Sequence, residues 1–427
     1  MLSSMSHPTP TRPRLALRAT ITLLMFGGLV HFPALGAAPA TSSNAAAAAS
    51  ALLPPAAPAI APSVSLPSSR DILEAMESAN SYFMSKWPAP GCKDGLPGGR
   101  PDNIWTRAVY YEGALALHRI NHDPAIEKYA TDWATFHDWG FRKGNDGQNP
   151  DDQCAAQAYI ELYQLDPAKT ERLSRVRANL DSWTRRSKVS YCSWIDALQM
   201  TMPVFAKMAV IDSNPAYLAK MHAMYDHAKT RLGLYNPVDH LWWRDKKFKP
   251  PYATPHGKPC YWSRGNGWVV AALVRTLEVL PKDDPHRAEY LGMLQDMSAA
   301  LLTLQREDGF WNVSLADPDD FGGPETTGTA LFIYGMAWAI NHGHLPSDAY
   351  LPAVARGWHA ITRDALHANG FLGYVQGTGD QPASGQPVKF DSQPDFDDYS
   401  AGCFLLAGSE IHALGRNVVP KPPTELP

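Results

Sequence analysis

The spacing of breaks along this chain constrains its fold more than any other feature. Twelve segments carry helical periodicity: about 71–88, 104–121, 124–138, 151–164, 168–184, 193–208, 215–231, 262–280, 285–304, 326–341, 350–364 and 398–414. No alternation of apolar and polar residues is long enough to suggest a sheet. The linkers after even-numbered segments are short: 122–123, 165–167, 209–214, 281–284 and 342–349. Those after odd-numbered segments are mostly long: 89–103, 139–150, 185–192, 232–261, 305–325 and 365–397. Such alternation means antiparallel hairpins with one plain end and one elaborated end. Six hairpins side by side form an open solenoid or close into a ring. No polar capping repeat stands at either end, so closure is expected. The fold class is therefore all-α, an (α/α)6 barrel, folding as one domain over 70–427. Asp71 with Glu74, and Ser193 with Asp196, read as capping boxes, and Asp151 reads as the cap of the fourth helix.

The first 70 residues do not fit that pattern. Arg12, Arg14 and Arg18 precede an apolar run from Ala19 to Val30, and Ala34-Leu35-Gly36 supplies small residues for cleavage. Residues 1–36 therefore read as a secretory signal peptide, and the protein is expected to be exported, periplasmic or secreted. The competing reading is a single-pass anchor, for which the run is short. Residues 37–69 are rich in Ala, Pro and Ser and read as a linker with no means of building a core. Loss of 1–36 takes three arginines and no acid, moving the net charge from −4 to −7. That balance argues against avid binding to nucleic acid or other anionic polymers. The 13 Trp and 17 Tyr fit either a binding cleft or a large core. Five cysteines, Cys92, Cys154, Cys192, Cys260 and Cys403, contain no CxxC pair, so a zinc ribbon is not expected. Export permits at most two disulfides, and the sequence does not choose their pairing.

The chemically distinctive residues collect at the elaborated end. Asp151-Asp152, Trp194-Ile195-Asp196, Trp262-Ser263-Arg264-Gly265-Asn266-Gly267-Trp268, Glu325-Thr326-Thr327-Gly328 and Asp397-Asp398-Tyr399 each start an even-numbered helix. If the even helices form the inner ring, these groups converge on one cavity mouth. Read singly, each has a plainer explanation. Asp151, Asp152 and Asp196 can be helix caps, where the dipole lowers a carboxyl pKa. As neighbours, desolvated by Trp194, Met200 and Met202, they form a carboxylate pair with split pKa values, the equipment for cleaving glycosides. Arg264 can clamp a carboxylate or sit in a buried ion pair. Asn266 can serve a hydroxyl pair, Trp262 and Trp268 can stack on sugars, and Gly265 and Gly267 allow close approach of a ligand. His240 alone reads as a loop histidine. No HExxH, EF-hand, Walker, dinucleotide or GxSxG pattern exists, so neither metal nor cofactor is expected.

Taken in order, Asp-Asp-x9-Leu-Tyr at 151–163, Trp-Ile-Asp-Ala-Leu-Gln-Met-x2-Pro at 194–203, Trp-Ser-Arg-Gly-Asn-Gly-Trp at 262–268, Glu-Thr-Thr-Gly-Thr-Ala at 325–330 and Asp-Tyr-Ser-Ala-Gly-Cys-Phe-Leu-Leu-Ala-Gly-Ser-Glu at 398–410 resemble the unsaturated rhamnogalacturonyl hydrolases. These are family 105 of the glycoside hydrolases, with the family 88 unsaturated glucuronyl hydrolases as relatives. The resemblance spans about 71–414 and implies an (α/α)6 barrel. It also implies removal of a 4,5-unsaturated uronic acid from the non-reducing end of lyase-generated oligosaccharides, such as the unsaturated rhamnogalacturonan disaccharide of pectin. In that reaction an acid protonates C4, water adds at C5, and the hemiketal opens with loss of the glycosidic bond. By resemblance Asp196 is the acid/base, and Asp151 or Asp152 is the second essential aspartate. His240, Trp262, Arg264, Asn266, Trp268, Trp194 and Tyr111 form the substrate-binding set, with Arg264 suited to the uronate carboxylate. The expected partner is an oligosaccharide, with no nucleic acid and no membrane beyond the export signal, and the expected state is a monomer.

Two other classes fit the same residues. One is a different (α/α)6 carbohydrate enzyme, either an inverting glycosidase or a lyase using Tyr191, His240 and Arg264. The other is a sugar-binding protein with idle carboxylates.

Overall fold

The computed structural model describes residues 65–91, 101–392 and 398–418. The expected signal peptide, nearly all of the linker, Cys92 and Asp397 lie outside them. Ile60–Pro427 forms one compact unit.

All twelve expected segments are helical, and even-numbered segments line the inside. The inner helices are α2 (Trp105–Asn121), α5 (Ala155–Leu165), α7 (Asp196–Ile211), α9 (Ser263–Leu277), α12 (Thr326–Asn341) and α14 (Asp398–Val418). A single turn, α4 (Pro150–Gln153), leads into α5 through Cys154. The outer helices are α1 (Ser69–Lys86), α3 (Pro124–Phe136), α6 (Ser174–Arg185), α8 (Pro215–Asp226), α10 (Arg287–Thr303) and α13 (Ser347–Ala360), with a one-turn α11 (Pro318–Phe321) in a loop. Two small hairpins decorate the long-loop end. They are β1 (Tyr235–Asn236) with β2 (Leu241–Trp242), and β3 (Trp311–Asn312) with β4 (Pro324–Glu325).

Burial separates the rings as the sequence pattern requires. Every residue of α9 is buried, and in α12 the buried run is Thr326–Ala339. On outer α10 only a stripe is buried, at Tyr290, Met293, Leu294, Met297, Ser298 and Leu301. A helix apolar all round belongs inside, and one with a single stripe belongs at the rim. Each inner helix packs on the next, in the order α2, α5, α7, α9, α12, α14, and α14 returns to α2. The ring closes through glycine. A Cβ on Gly402 would stand 2.1 Å from the Val109 carbonyl oxygen, and one on Gly113 would stand 2.4 Å from the Gly402 oxygen. No side chain fits between these backbones.

The aromatic residues serve the core. Trp133, Trp183, Trp242, Trp262, Trp268, Trp311, Trp338 and Trp358 are all fully buried. Large rings carry much of the apolar area such a barrel must hide. Cys154, Cys192, Cys260 and Cys403 are buried free thiols, so no disulfide joins the described cysteines.

The expected caps are corrected. On α1 the box is Ser68 with Asp71, one turn earlier than Asp71 with Glu74: Ser68 Oγ accepts from the Asp71 amide at 3.1 Å. The cap of α4 is Asn149, whose Oδ1 accepts from the Asp151 amide at 3.0 Å. Ser193 caps nothing, because Trp194 is bridged to Asp245 and α7 starts at Asp196 behind Ile195 without a side-chain cap. Neither Asp151 nor Asp196 is needed to hold its own helix end. Glu325 does cap, its carboxylate accepting from the Thr327 and Gly328 amides of α12.

Candidate active site

A cavity of about 570 Å³ opens at the long-loop end of the inner ring. Its walls are Ile104 and Trp105 at the start of α2, Arg142, Asp151 on α4, Trp194, Asp196 and Met200 around the start of α7, Arg244, and Thr378 with Gly379. Asp151, Asp196 and Trp194 of the expected set therefore meet in one place.

Asp196 and Asp152 each have a guanidinium beside them. Arg244 Nε lies 3.3 Å from Asp196 Oδ2, and its Nη1 donates to Asp245 Oδ2 at 2.8 Å. The Arg244 guanidinium carbon is 5.8 Å from the Trp194 ring. Arg142 Nε lies 2.6 Å from Asp152 Oδ1, an ion pair out of hydrogen-bond alignment. Asp152 is only 2% exposed, behind the cavity wall. Of the two neighbouring aspartates, Asp151 is thus the one that faces the cavity.

Burial pushes the Asp151 carboxyl up to about 6, helped by the negative charges of Asp196 and then Asp152. Burial also raises Asp196, opposed by Arg244. Two desolvated carboxyls near each other resist losing their second proton, and they titrate as a pair. Such a pair still holds a proton close to neutral pH, which a general acid requires.

The remaining expected residues are placed elsewhere. Arg264 is fully buried. It donates to the Gln376 carbonyl at 2.7 Å and to the Gly377 carbonyl at 2.8 Å. Trp262 Nε1 donates to Gln376 Oε1 at 2.8 Å. The Gln376 amide in turn donates to the carbonyls of Gln381, Pro382 and Ser384. Tyr399 Oη donates to the Gln376 carbonyl at 2.5 Å. The segment around Gln376 therefore roofs the starts of α9, α12 and α14, and its tip, Thr378-Gly379, becomes cavity wall. The uronate clamp expected of Arg264 is corrected on this ground: its two terminal nitrogens are engaged by backbone. Asn266 is turned to β2, accepting from the Trp242 amide at 2.9 Å and donating to its carbonyl at 3.0 Å. Trp268 is buried and edge-on to Trp105, at 6.0 Å between centroids. Gly265 and Gly267 give room to Trp262 and Leu331, which would lie 2.8 and 2.9 Å from an added Cβ, rather than to a ligand.

His240 occupies the β1–β2 turn, bonded to Tyr235 Oη at 2.8 Å and 3.8 Å from Asp296 of outer α10. Tyr111 stacks on Trp133 at 4.4 Å within the core. Neither residue is among those that wall the cavity. Asp398 pairs with Arg107 at 3.2 Å and is buried. A group of three groups of metal-ligating type, His222, Asp284 and His286, lies outside the cavity. Its imidazoles are stacked at 3.7 Å, and His222 is bonded through Nδ1 to Tyr290 and through Nε2 to Asp284.

Arg142, Arg244 and Trp105 were not singled out by the sequence. The two arginines sit in long loops without a motif. The only advance signal was a cation in a loop at the elaborated end.

The Glycosyl Hydrolase Family 88 model matches residues 75–414. An unsaturated 3S-rhamnoglycuronyl hydrolase of Formosa agariphila is 31% identical over 330 residues, covering 73% of this chain and 84% of that protein. A solved glycosyl hydrolase family 88 structure from Bacteroides vulgatus superposes with a TM-score of 0.73 at 34% identity, covering 81% of this chain and 99% of that one. A structure described as a polysaccharide lyase superposes with a TM-score of 0.75 at 29% identity, covering 83% and 99%. With its barrel, its carboxylate pair and a match over nearly all of the described residues, the chain belongs to glycosyl hydrolase family 88.

Proposed function

We propose that this protein removes a 4,5-unsaturated uronic acid from the non-reducing end of lyase-generated oligosaccharides, with an anionic, sulfated rhamnose as the next sugar. The observation that carries this reading is the Asp151–Asp196 pair flanked by Arg142 and Arg244 in one cavity. The relative's name, an unsaturated 3S-rhamnoglycuronyl hydrolase, supports rhamnose as the next sugar, and Arg142 in the cavity wall supports an anion on it.

The chemistry follows from the groups. Protonated Asp196 delivers its proton to C4 of the enol ether, and positive charge develops at C5 and the ring oxygen. Water adds at C5 and gives its proton to the Asp196 carboxylate. The hemiketal opens to a C5 ketone, and the hemiacetal left at C1 then expels the next sugar. The carboxylate on C5 adjoins the reacting carbon, and Arg244, in contact with Asp196, is placed to take it. Once that carboxylate engages Arg244, the arginine supports Asp196 ionisation less, and Asp196 holds its proton more firmly. Arg142, paired with Asp152 and part of the cavity wall, is placed to meet an anion on the leaving sugar. Trp194 and Trp105 offer sugar-stacking faces.

A lyase needs a Tyr or His base at the scissile bond, and among the described residues that wall this cavity there is neither. Export through the basic, apolar N-terminal segment is part of the same proposal, since lyase products arise outside the cytoplasm.

The test is ultraviolet absorbance of the conjugated uronate on a panel of unsaturated disaccharides. Wild type should consume the chromophore, and Asp196→Asn should lower the rate about 10³-fold. Chromophore appearing from intact polysaccharide would establish a lyase instead, and sugar binding without turnover would establish a binding protein.

A further inference from the structure

Directly beneath the carboxylate pair lies a buried polar group that the chemistry above does not use. Glu112, in the middle of α2, is fully buried. The Cys154 thiol donates to its Oε1 at 3.4 Å, and the Gln199 amide donates to its Oε2 at 2.8 Å. Cys154 stands three residues after Asp151 and Gln199 three residues after Asp196. Three residues is close to one helical turn, so each partner lies on the turn below one acid. One carboxylate on a third helix thus ties down the two turns that carry the pair.

The anchor is itself fixed. Arg275 Nε of α9 lies 3.3 Å from Glu112 Oε2 and donates to Gln157 Oε1 at 2.8 Å. The Gln157 amide donates to the Gln199 carbonyl at 2.8 Å. Arg275 also donates to Glu161, which Lys207 of α7 holds at 2.7 Å. A buried carboxylate with this many fixed partners does not rearrange cheaply.

We propose that Glu112 is a positioning residue for the reaction, holding through Cys154 and Gln199 the turns of Asp151 and Asp196 and so setting their spacing. Loss of the Cys154 donor loosens one side of this tie. The two acids then repel each other less, and the pair gives up its last proton at lower pH. This inference rests on the hydrolase reading only for its kinetic arm.

Glu112→Gln leaves Arg275 short of a charge in the core and can fail to fold, so the test uses Cys154→Ala and Cys154→Ser. The first removes the donor; the second keeps one. Each is measured for kcat, KM and the pH dependence of kcat, and by infrared titration of the aspartate carboxyls, which needs no turnover. Cys154→Ala should lower kcat about tenfold with KM changed less than about twofold, and should move the upper carboxyl midpoint down by about half a pH unit or more. Cys154→Ser should restore most of both. Unchanged kcat and midpoint in Cys154→Ala overturn the proposal, and so does an equal defect in Cys154→Ser, which would make thiol volume the relevant property. If wild type consumes no unsaturated disaccharide, the functional reading fails, while the titration still decides the positioning role.

Discussion

Arg264 Nη1 donates to the Gln376 carbonyl at 2.7 Å, linking the first turn of α9 to a loop more than a hundred residues downstream. The bond makes a buried cation into a structural clasp for the segment whose tip walls the cavity. Arg264→Met should strand the buried Gly377 carbonyl and leave that of Gln376 to Tyr399 alone, costing about 1–3 kcal/mol of stability. It should also open the segment 376–386 to limited proteolysis and raise KM more than it lowers kcat. Unaltered protection of that segment would rule the clasp out.

Asp151 carries a cost for its position. Its carboxyl rises to about 6 in the folded protein from an ordinary 3.8. Between those pH values the folded state binds the extra proton. The stability contributed by the protonated form is therefore present at pH 3 and lost as pH rises through 6. Above that pH the penalty is on the order of 3 kcal/mol. Asp151→Asn should raise the melting temperature at pH 8 and change it little at pH 4, while lowering activity. Equal melting of the two proteins at pH 8 would contradict the burial of a charged Asp151.

On the proposed function, Arg244 would take the uronate and Arg142 an anion on the next sugar. Arg142→Met should lower kcat/KM on a sulfated unsaturated disaccharide about 10²-fold or more and on its unsulfated counterpart far less. Arg244→Met should impair both alike, because both carry the uronate. An Arg142 variant that loses the two substrates in equal measure would remove the assignment of the second anion.

Barrel closure has a matched control. Gly402→Ala places a methyl against the backbone of Val109 and should destabilise by about 2–4 kcal/mol in denaturant melts. Gly292, on outer α10, has nothing within 4 Å of an added Cβ. Gly292→Ala should instead stabilise by about 0.5–1 kcal/mol through helix propensity. Similar behaviour of both variants would show that the α2–α14 contact is not tight.

The helices and their pairing were legible because periodicity and linker length are local properties. Closure was legible because no polar capping repeat stands at either end of the helical array. The approach of Asp151 to Asp196 followed from their places at the starts of adjacent inner helices. The Trp262–Trp268 motif misled for a physical reason. A buried arginine, asparagine and indole need acceptors, and sequence does not say whether these belong to a ligand or to the chain's own loop. Here Gln376, Gly377 and Trp242 supply them. Arg142 and Arg244 were hidden for the converse reason. Their loops have no periodicity, and only the folded path brings them to the cavity.

The contact of α14 with α2 also imposes an order on synthesis. A chain emerging from the ribosome exposes the apolar flank of α2 early and covers it only when α14 has been made. Until then five inner helices present an open arc with two unsatisfied edges, each a site for association with another unfinished chain. Chaperone dependence should therefore concentrate in the final stage of translation. A circular permutant that makes α14 first, joined ahead of α1, should fold with less aggregation than the natural order.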